Sequence, residues 1–430
     1  MSAPNVVALI DCENFYASCE RVFDPSLRTR PVAVLSNNDG CIVARSAEVK
    51  AAGIPMGAPF FQWKKKLRAI GAAVLSSNYP LYADMSRRVM RVLEGQVMDL
   101  EGYSIDEAFA TLPRLSRRDL AAVGRQIRQV VRRHVGVPIR VGIGPTKTLA
   151  KVSDEAAKQT GGVFVCPPEP EREAVLRATA VGDVWGIGRA HTERLTRRGV
   201  THAAAFRALP DRWIRAHMAV TGLRTALELR GERCIEVHPP DPDRKTLVRS
   251  RSFGQRVTAR NVLAEAVAHH TQRAAEKLRG EGLDAGGLQV FITTKRFGPP
   301  PHYANSTAAS LPVPTRYTPT LVRLARRLLG TIYRAAIDGA PVRYKKCGVM
   351  LFDLQPASAR QLGLFTASPA PLDAEHDLMA AVDRINRQMG RGTVRVACTG
   401  RPGPTPWAMA QDRRSPCYTT RWSELPLARA

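Results

Sequence analysis

The sequence predicts an α+β multidomain protein, and three observations predict it. The chain's 430 residues are enough for two to four domains that each bury a core, and 44% hydrophobic residues spread along it argue against a disordered polypeptide. Strand-like and helix-like segments interleave up to about residue 170, after which 171–231 carries only short helical patterns. Residues 246–354 then read strand, helix, strand, strand, helix, strand, a β-α-β-β-α-β unit. The charge adds a class of partner. Lys plus Arg number 64 against 38 Asp plus Glu, and a formal charge of +26 calls for a polyanion, nucleic acid first.

Asn5 to Ile10 is a short buried strand that ends at Asp11, and Asn14 to Val22 follows with helical spacing, Phe15, Ala17 and Cys19 inside. Pro31 to Leu35 is a second strand, Ser36 to Gly40 a turn, and Ala44 to Ala52 a helix closed by Gly53. Ala83 to Glu94 is a further helix. Tyr103 to Ile105 and Ala108 to Leu112 read as two strands around Asp106-Glu107, in an acidic patch that also holds Asp99 and Glu101. Arg117 to His134 is an amphipathic helix, Ile139 to Ile143 a strand, and Thr146 caps a helix that closes at Lys158. Among the short helices that follow, Trp185-Gly-Ile-Gly188 precedes Arg189 to Arg198. His238 to Asp243, with three prolines, is an extended linker. The strands of the last unit run at about 246–257, 288–295, 303–311 and 346–354, with helices at 262–278 and 318–333. Asp373 to Met389 is a final helical stretch.

Other classes are disfavoured. The apolar run Val6 to Ile10 stops at Asp11, short of a signal-peptide core, and no run reaches membrane-spanning length. The eight cysteines are far apart with no C-x-x-C, which argues against a zinc module or a disulfide framework and for a cytoplasmic protein without a membrane.

Asp11 at a strand's end and Asp106-Glu107 on a hairpin can meet if their strands are neighbours. Three carboxylates there suit two Mg²⁺ ions about 4 Å apart, hard cations that activate an attacking hydroxyl and stabilise a leaving phosphate. An isolated Asp-Glu pair is usually a solvated turn; here Ser104-Ile105 and Ala108-Phe109 flank it with small or apolar residues.

Ala8-Leu-Ile-Asp11-Cys-Glu-Asn-Phe-Tyr16-Ala-Ser-Cys-Glu20, with Tyr103-Ser-Ile-Asp106-Glu107-Ala-Phe109, resembles the catalytic signature of Y-family DNA polymerases. Leu35-Ser-Asn-Asn-Asp-Gly-Cys41, Ser76-Ser-Asn-Tyr-Pro-Leu-Tyr-Ala-Asp-Met-Ser86 and Asp183-Val-Trp-Gly-Ile-Gly188 resemble the UmuC branch of that family. The resemblance covers almost the whole chain. It implies a right-hand polymerase with a ferredoxin-like palm (1–16 and 83–170), small fingers (17–82), a helix-hairpin-helix thumb (171–236), a linker (237–245), a βαββαβ little finger (246–356) and a C-terminal extension (357–430) assigned to protein contacts. It implies error-prone translesion synthesis in the SOS response, with dNTP joined to a primer 3′ hydroxyl opposite damaged DNA.

The resemblance makes Asp11, Asp106 and Glu107 catalytic ligands of two Mg²⁺ ions, with the Cys12 carbonyl as a backbone ligand. Tyr16, beside Phe15 in the substrate site, falls where the family places an aromatic ring that excludes a ribose 2′-OH. Lys158 matches a lysine that meets the triphosphate, and Arg45 and Lys50 lie where the fingers contact its β and γ phosphates. The chain departs from the family at Ala47, where many members carry a phosphate-binding tyrosine. Gly186 and Gly188 resemble a DNA-binding hairpin whose glycines admit a phosphate, and Arg249, Arg251, Arg256, Lys295 and Arg296 sit on the first two little-finger strands, placed to track phosphates. Gln361, Leu362, Leu364 and Phe365 resemble a sliding-clamp binding peptide. The implied partners are primer-template DNA, a processed UmuD dimer, a recombinase filament and the clamp. Two alternatives stay open: a catalytically inactive homologue acting as a DNA- and clamp-binding scaffold, and a palm-fold nucleotide cyclase, which has no use for a little finger.

Overall fold

The computed structural model describes residues 5–237, 244–297, 299–359, 370–400, 403 and 405–426. Two compact units divide the chain: Met1–Ser36, Gly40–Asp241 and Arg413–Ala430 in the first, Asn37–Asp39 and Pro242–Asp412 in the second. The prolines of 238–243 and the expected clamp-binding residues Gln361, Leu362, Leu364 and Phe365 lie outside the described residues.

The first unit starts with β1 (Val6–Cys12), α1 (Phe15–Phe23), β2 (Val32–Leu35), β3 (Ile42–Arg45), α2 (Ala47–Ala51), α3 (Phe60–Ala69), β4 (Ala73–Ser76) and α4 (Tyr79–Glu94). It continues with β5 (Asp99–Gly102), β6 (Glu107–Leu112), α5 (Arg117–Val135), β7 (Ile139–Gly144), α6 (Lys147–Ala157) and β8 (Val163–Val165). One sheet has the order β5-β6-β1-β7-β8, and β1 is antiparallel to both neighbours. Its uninterrupted apolar sequence follows from burial on both faces. Val7 and Leu9 pack with Phe109 and Ala150, while Ala8, Ile10 and Cys12 join a core built from α1, α4 and α5.

A three-stranded sheet, β3-β2-β4, covers its own small core of Leu35, Ile42, Val49, Ile54 and Leu67. Two expectations change here. The helix expected over 44–52 splits into β3, paired with β2, and the short α2, while α3 and β4 carry no helix or strand expectation from the sequence. The strand expected at 103–105 is instead β5, which ends at Gly102. The Ser104 hydroxyl accepts the backbone N–H groups of Asp106 and Glu107 at 3.2 and 3.0 Å, fixing 103–106 as a turn.

The helical part comprises α7 (Glu171–Ala178), α8 (Arg189–Arg197), α9 (Ala203–Arg207) and α10 (Asp211–Arg230). Its elements are not all short: α10 has 20 residues, broken by a kink at Ala219. Leu149 and Val152 of α6 contribute to its core beside Leu195, Phe206 and Ile214.

The second unit has the expected β-α-β-β-α-β order: β9 (Thr246–Val257), α11 (Arg260–Gly280), β10 (Leu283–Thr294), β11 (Ala304–Thr315), α12 (Thr318–Ile332), the small hairpin β12 (Ala336–Ile337) and β13 (Ala340–Pro341), then β14 (Tyr344–Pro356). The main sheet runs β11-β10-β14-β9. β10 starts five residues earlier than its sequence suggests, because Leu283, Asp284 and Ala285 pair with Pro356, Gln355 and Leu354 before the ladder resumes at Gly287. It ends at Thr294, so Lys295 and Arg296 follow the strand instead of lying on it. α13 (Ala370–Gln388) is tied to α11 by Arg279, which donates to both Asp383 carboxylate oxygens at 2.6 and 2.8 Å. Trp407 completes this unit's core, and its Nε1 donates to Glu265 at 3.2 Å.

Candidate active site

β1 delivers Asp11 between two partners of opposite sign. Its Cα register is Glu107 on β6 and Arg140 on β7. The Cys12 N–H donates to the Asp106 carbonyl at 2.8 Å, so all three expected carboxylates arise from adjacent backbone positions. Their side chains are separately engaged. Arg140 Nη2 donates to Asp11 Oδ1 at 2.8 Å and to Asp154 Oδ2 at 3.1 Å, Ser104 Oγ donates to Asp106 Oδ1 at 2.5 Å, and Lys151 Nζ lies 3.2 Å from Glu107 Oε2. Among the described residues no three Asp, Glu, His or Cys side chains form a ready metal-ligand group, so the expected convergence on one point holds for the backbone and not for the carboxylates as placed.

The electrostatics show what the donor set lacks. Burial pushes Asp11 up from 3.8 to about 7; Arg140 opposes this, while the negative charges of Asp154, Glu107 and Asp106 add to it. The carboxylates of Asp11, Asp106, Glu107 and Asp154 thus act on one another beside two cations, Arg140 and Lys151. Hard oxygen donors of this kind fit divalent cations. The Cys12 thiol is not a donor: burial raises it well above the ordinary thiol range, which leaves the carbonyl.

Cations lie within electrostatic range of Asp11. Burial lowers the Lys50 ammonium, and Arg45, Arg140 and Lys158 lower it further while Asp11 opposes them, so the three expected phosphate contacts share one field. Arg45 Nη1 donates to the Ile54 carbonyl at 2.5 Å, and Lys158 pairs with Glu155 and is exposed. Tyr16 is half-buried and stacks on Tyr82 with ring centroids 4.3 Å apart. Phe15 is 3% exposed and packs in the core.

The sequence reading missed Arg140, Asp154, Lys147 and Lys151. Lys147 Nζ reaches Glu101 at 2.6 Å, and Lys151 Nζ sits 4.6 Å from the Tyr103 ring centre. The i, i+4 lysines on a helix directly after a glycine-ended strand were the available signal. Position 142 must be glycine: a Cβ would lie 2.2 Å from the Asp154 backbone nitrogen, and this close approach of α6 to β7 brings Asp154 to Arg140.

Gly186 has φ +88° and a Cβ there would meet Thr225 Oγ1 at 3.0 Å, whereas Gly188 has ordinary φ and open space around it. Trp185 donates from Nε1 to the Tyr103 hydroxyl at 3.0 Å. In the second unit Arg249, Arg251 and Arg256 are exposed on the sheet-edge strand β9, and Arg256 and Lys295 line one cavity with Arg343 and the exposed Phe297. Among the described residues no helix is long and apolar enough to cross a membrane.

The impB/mucB/samB family model matches residues 10–155, its C-terminal domain matches 244–364, and a domain of unknown function matches 376–428. Protein UmuC of Salmonella typhimurium is 43% identical over 97% of this chain and 99% of its own, and Protein SamB of the same species is 42% identical over 98% and 99%. A solved Y-family DNA polymerase chimera of Dbh and Dpo4 shares the fold, with TM-score 0.65 at 18% identity over 81% of this chain and 98% of that one. Relatives and fold together define a Y-family DNA-directed DNA polymerase. Within that class the chain belongs to the impB/mucB/samB family, in its UmuC branch, and its activity is error-prone translesion synthesis in SOS mutagenesis.

Proposed function

We propose that Asp11, Asp106, Glu107 and the Cys12 carbonyl hold two Mg²⁺ ions and form the nucleotidyl-transfer centre. The observation that carries this is the β1–β6 register, Asp11 opposite Glu107, with cations within electrostatic range of Asp11. When bound, the ions acidify the primer 3′ hydroxyl and neutralise charge on the departing pyrophosphate. The chain's own residues do the rest. Arg45, Lys50 and Lys158 receive the dNTP phosphates, Arg140 fixes Asp11, and the Tyr16 ring fills the space a 2′-OH would need. The palm is 1–16 and 83–170, the fingers 17–82, the thumb 171–236, the linker 237–245, the little finger 246–356 and the extension 357–430. Gly186 and Gly188 admit a primer-template phosphate, and Arg249, Arg251, Arg256 and Lys295 track the backbone without reading sequence. The processed UmuD dimer, the recombinase filament and the clamp, through Gln361, Leu362, Leu364 and Phe365, are the proposed protein partners.

Primer extension across an abasic site with Mg²⁺ and these partners tests the reading. Wild type extends, and the Asp106→Ala, Glu107→Ala double variant does not. If both bind primer-template and neither extends it, the reading fails and the scaffold alternative replaces it.

A further inference from the structure

The motif from Ser76 to Ser86, left without a task by the chemistry above, is where the chain's own C-terminal segment docks. The Ser76 N–H donates to the Arg413 carbonyl and the Arg413 N–H to Ser76 Oγ, both at 3.0 Å. Asn78 is fully buried at the start of α4. Its amide nitrogen donates to the Ser415 carbonyl (3.1 Å), Ser415 Oγ (2.9 Å) and the Pro416 carbonyl (3.0 Å). Cys417 is buried beside it, and Tyr418 stacks on Phe23 at 5.0 Å. Resemblance assigned this segment to contacts with other proteins; here it fills a polar pocket within its own unit.

That pocket leads to the sugar-excluding ring. Glu20 is 1% exposed, and its Oε1 accepts two hydrogen bonds, from Ser415 Oγ at 3.0 Å and from the Tyr82 hydroxyl at 2.6 Å. Tyr82 is itself fully buried, and its ring is the one on which Tyr16 lies, 4.3 Å away and tilted by 12°. Without residues 413–418, the Asn78 amide loses all three of these acceptors and Glu20 keeps one donor of two. Tyr82 would then be held by a carboxylate free to turn.

We propose that the C-terminal segment 413–418 is a built-in positioning element for sugar selection, with Ser415 acting through Glu20 and Tyr82 to hold the Tyr16 ring. The proposal rests on the reading of Tyr16 as the group that excludes a 2′-OH. Ser415 and Tyr82 are positioning residues in it, and neither touches the nucleotide.

Single-nucleotide insertion by the full chain with its partners, comparing each dNTP with its rNTP and separating kcat from KM, tests it with four variants. Tyr16→Ala raises the rNTP:dNTP ratio; if it does not, the gate reading falls and this proposal with it. Ser415→Ala and Tyr82→Phe each raise the ratio about fivefold, the factor matching one net hydrogen bond of about 1 kcal/mol, mainly through a lower KM for rNTP. Ser415→Thr, which keeps the hydroxyl, restores the wild-type ratio. Should Ser415→Ala fail to fold, Ser415→Cys, which keeps the side chain's size and weakens its hydrogen bond to Glu20, reads the same coupling. A ratio unchanged in Ser415→Ala and Tyr82→Phe while Tyr16→Ala shifts it overturns the proposal and leaves the gate intact. Equal losses for dNTP and rNTP in these two variants mean a structural role only, and overturn it as well.

Discussion

Replacing Asp11 by Asn stabilises the metal-free protein relative to wild type by an amount that grows as pH rises. Asp11 titrates at 3.8 when unfolded and about 7 when folded, because burial and the neighbouring carboxylates outweigh Arg140. The folded state therefore binds more protons than the unfolded state between those values, and stability falls as pH climbs through that window. At 1.36 kcal/mol per pH unit the complete loss is about 4 kcal/mol, of which about 3 kcal/mol falls between pH 5 and pH 8. Asn has the shape without the charge, so the stability difference between Asp11→Asn and wild type grows by that amount over the same range. Urea unfolding followed by tryptophan fluorescence, in chelator, measures it. Adding Mg²⁺ at pH 8 recovers stability in wild type and much less in the variant, by linkage. A difference that stays flat with pH, or that favours wild type increasingly as pH rises, refutes the electrostatic reasoning.

Arg279→Ala strips Asp383 of its bidentate partner in a nearly closed site, and urea unfolding of the variant shows a loss of about 3 kcal/mol. Gly186→Ala forces a side chain into positive φ against Thr225, costing about 1–2 kcal/mol and weakening primer-template binding in fluorescence anisotropy, with insertion at saturating DNA unchanged. Replacing Arg249, Arg251 and Arg256 by Ala makes the slope of log affinity against log salt less negative by about 0.9 per lost phosphate contact, roughly 3 in total, without changing sequence preference.

The elements with strong local signals were legible in the sequence. Thr146, which accepts the Leu149 N–H, marks the start of α6, and the β-α-β-β-α-β order of the second unit follows from periodicity alone. The acidic end of β1 and the Asp106-Glu107 pair stand out in the sequence as well, although the flank at 103–106 is a turn and not the expected strand. What stayed hidden depends on pairing over distance. Arg140 meets Asp11 across 129 positions, and an arginine in a strand gives no hint of which carboxylate lies opposite. Asn78 and Ser415 are 337 positions apart, and each looks like an ordinary cap or loop residue by itself. Ala44 and Arg45, the end of β3, fall in the helix expected over 44–52 because four residues are too few to show a strand period, and only the hydrogen bonds to β2 decide it.

The central claim is that the acids gathered by β1 and β6 perform the chemistry. Single-turnover insertion of one dNTP on preformed primer-template, with Mg²⁺ and the partner proteins, measures it for wild type and for Glu107→Gln, which keeps size and polarity. The account predicts unchanged primer-template affinity and an insertion rate lower by about 10²-fold or more in the variant. An insertion rate equal to wild type would contradict it.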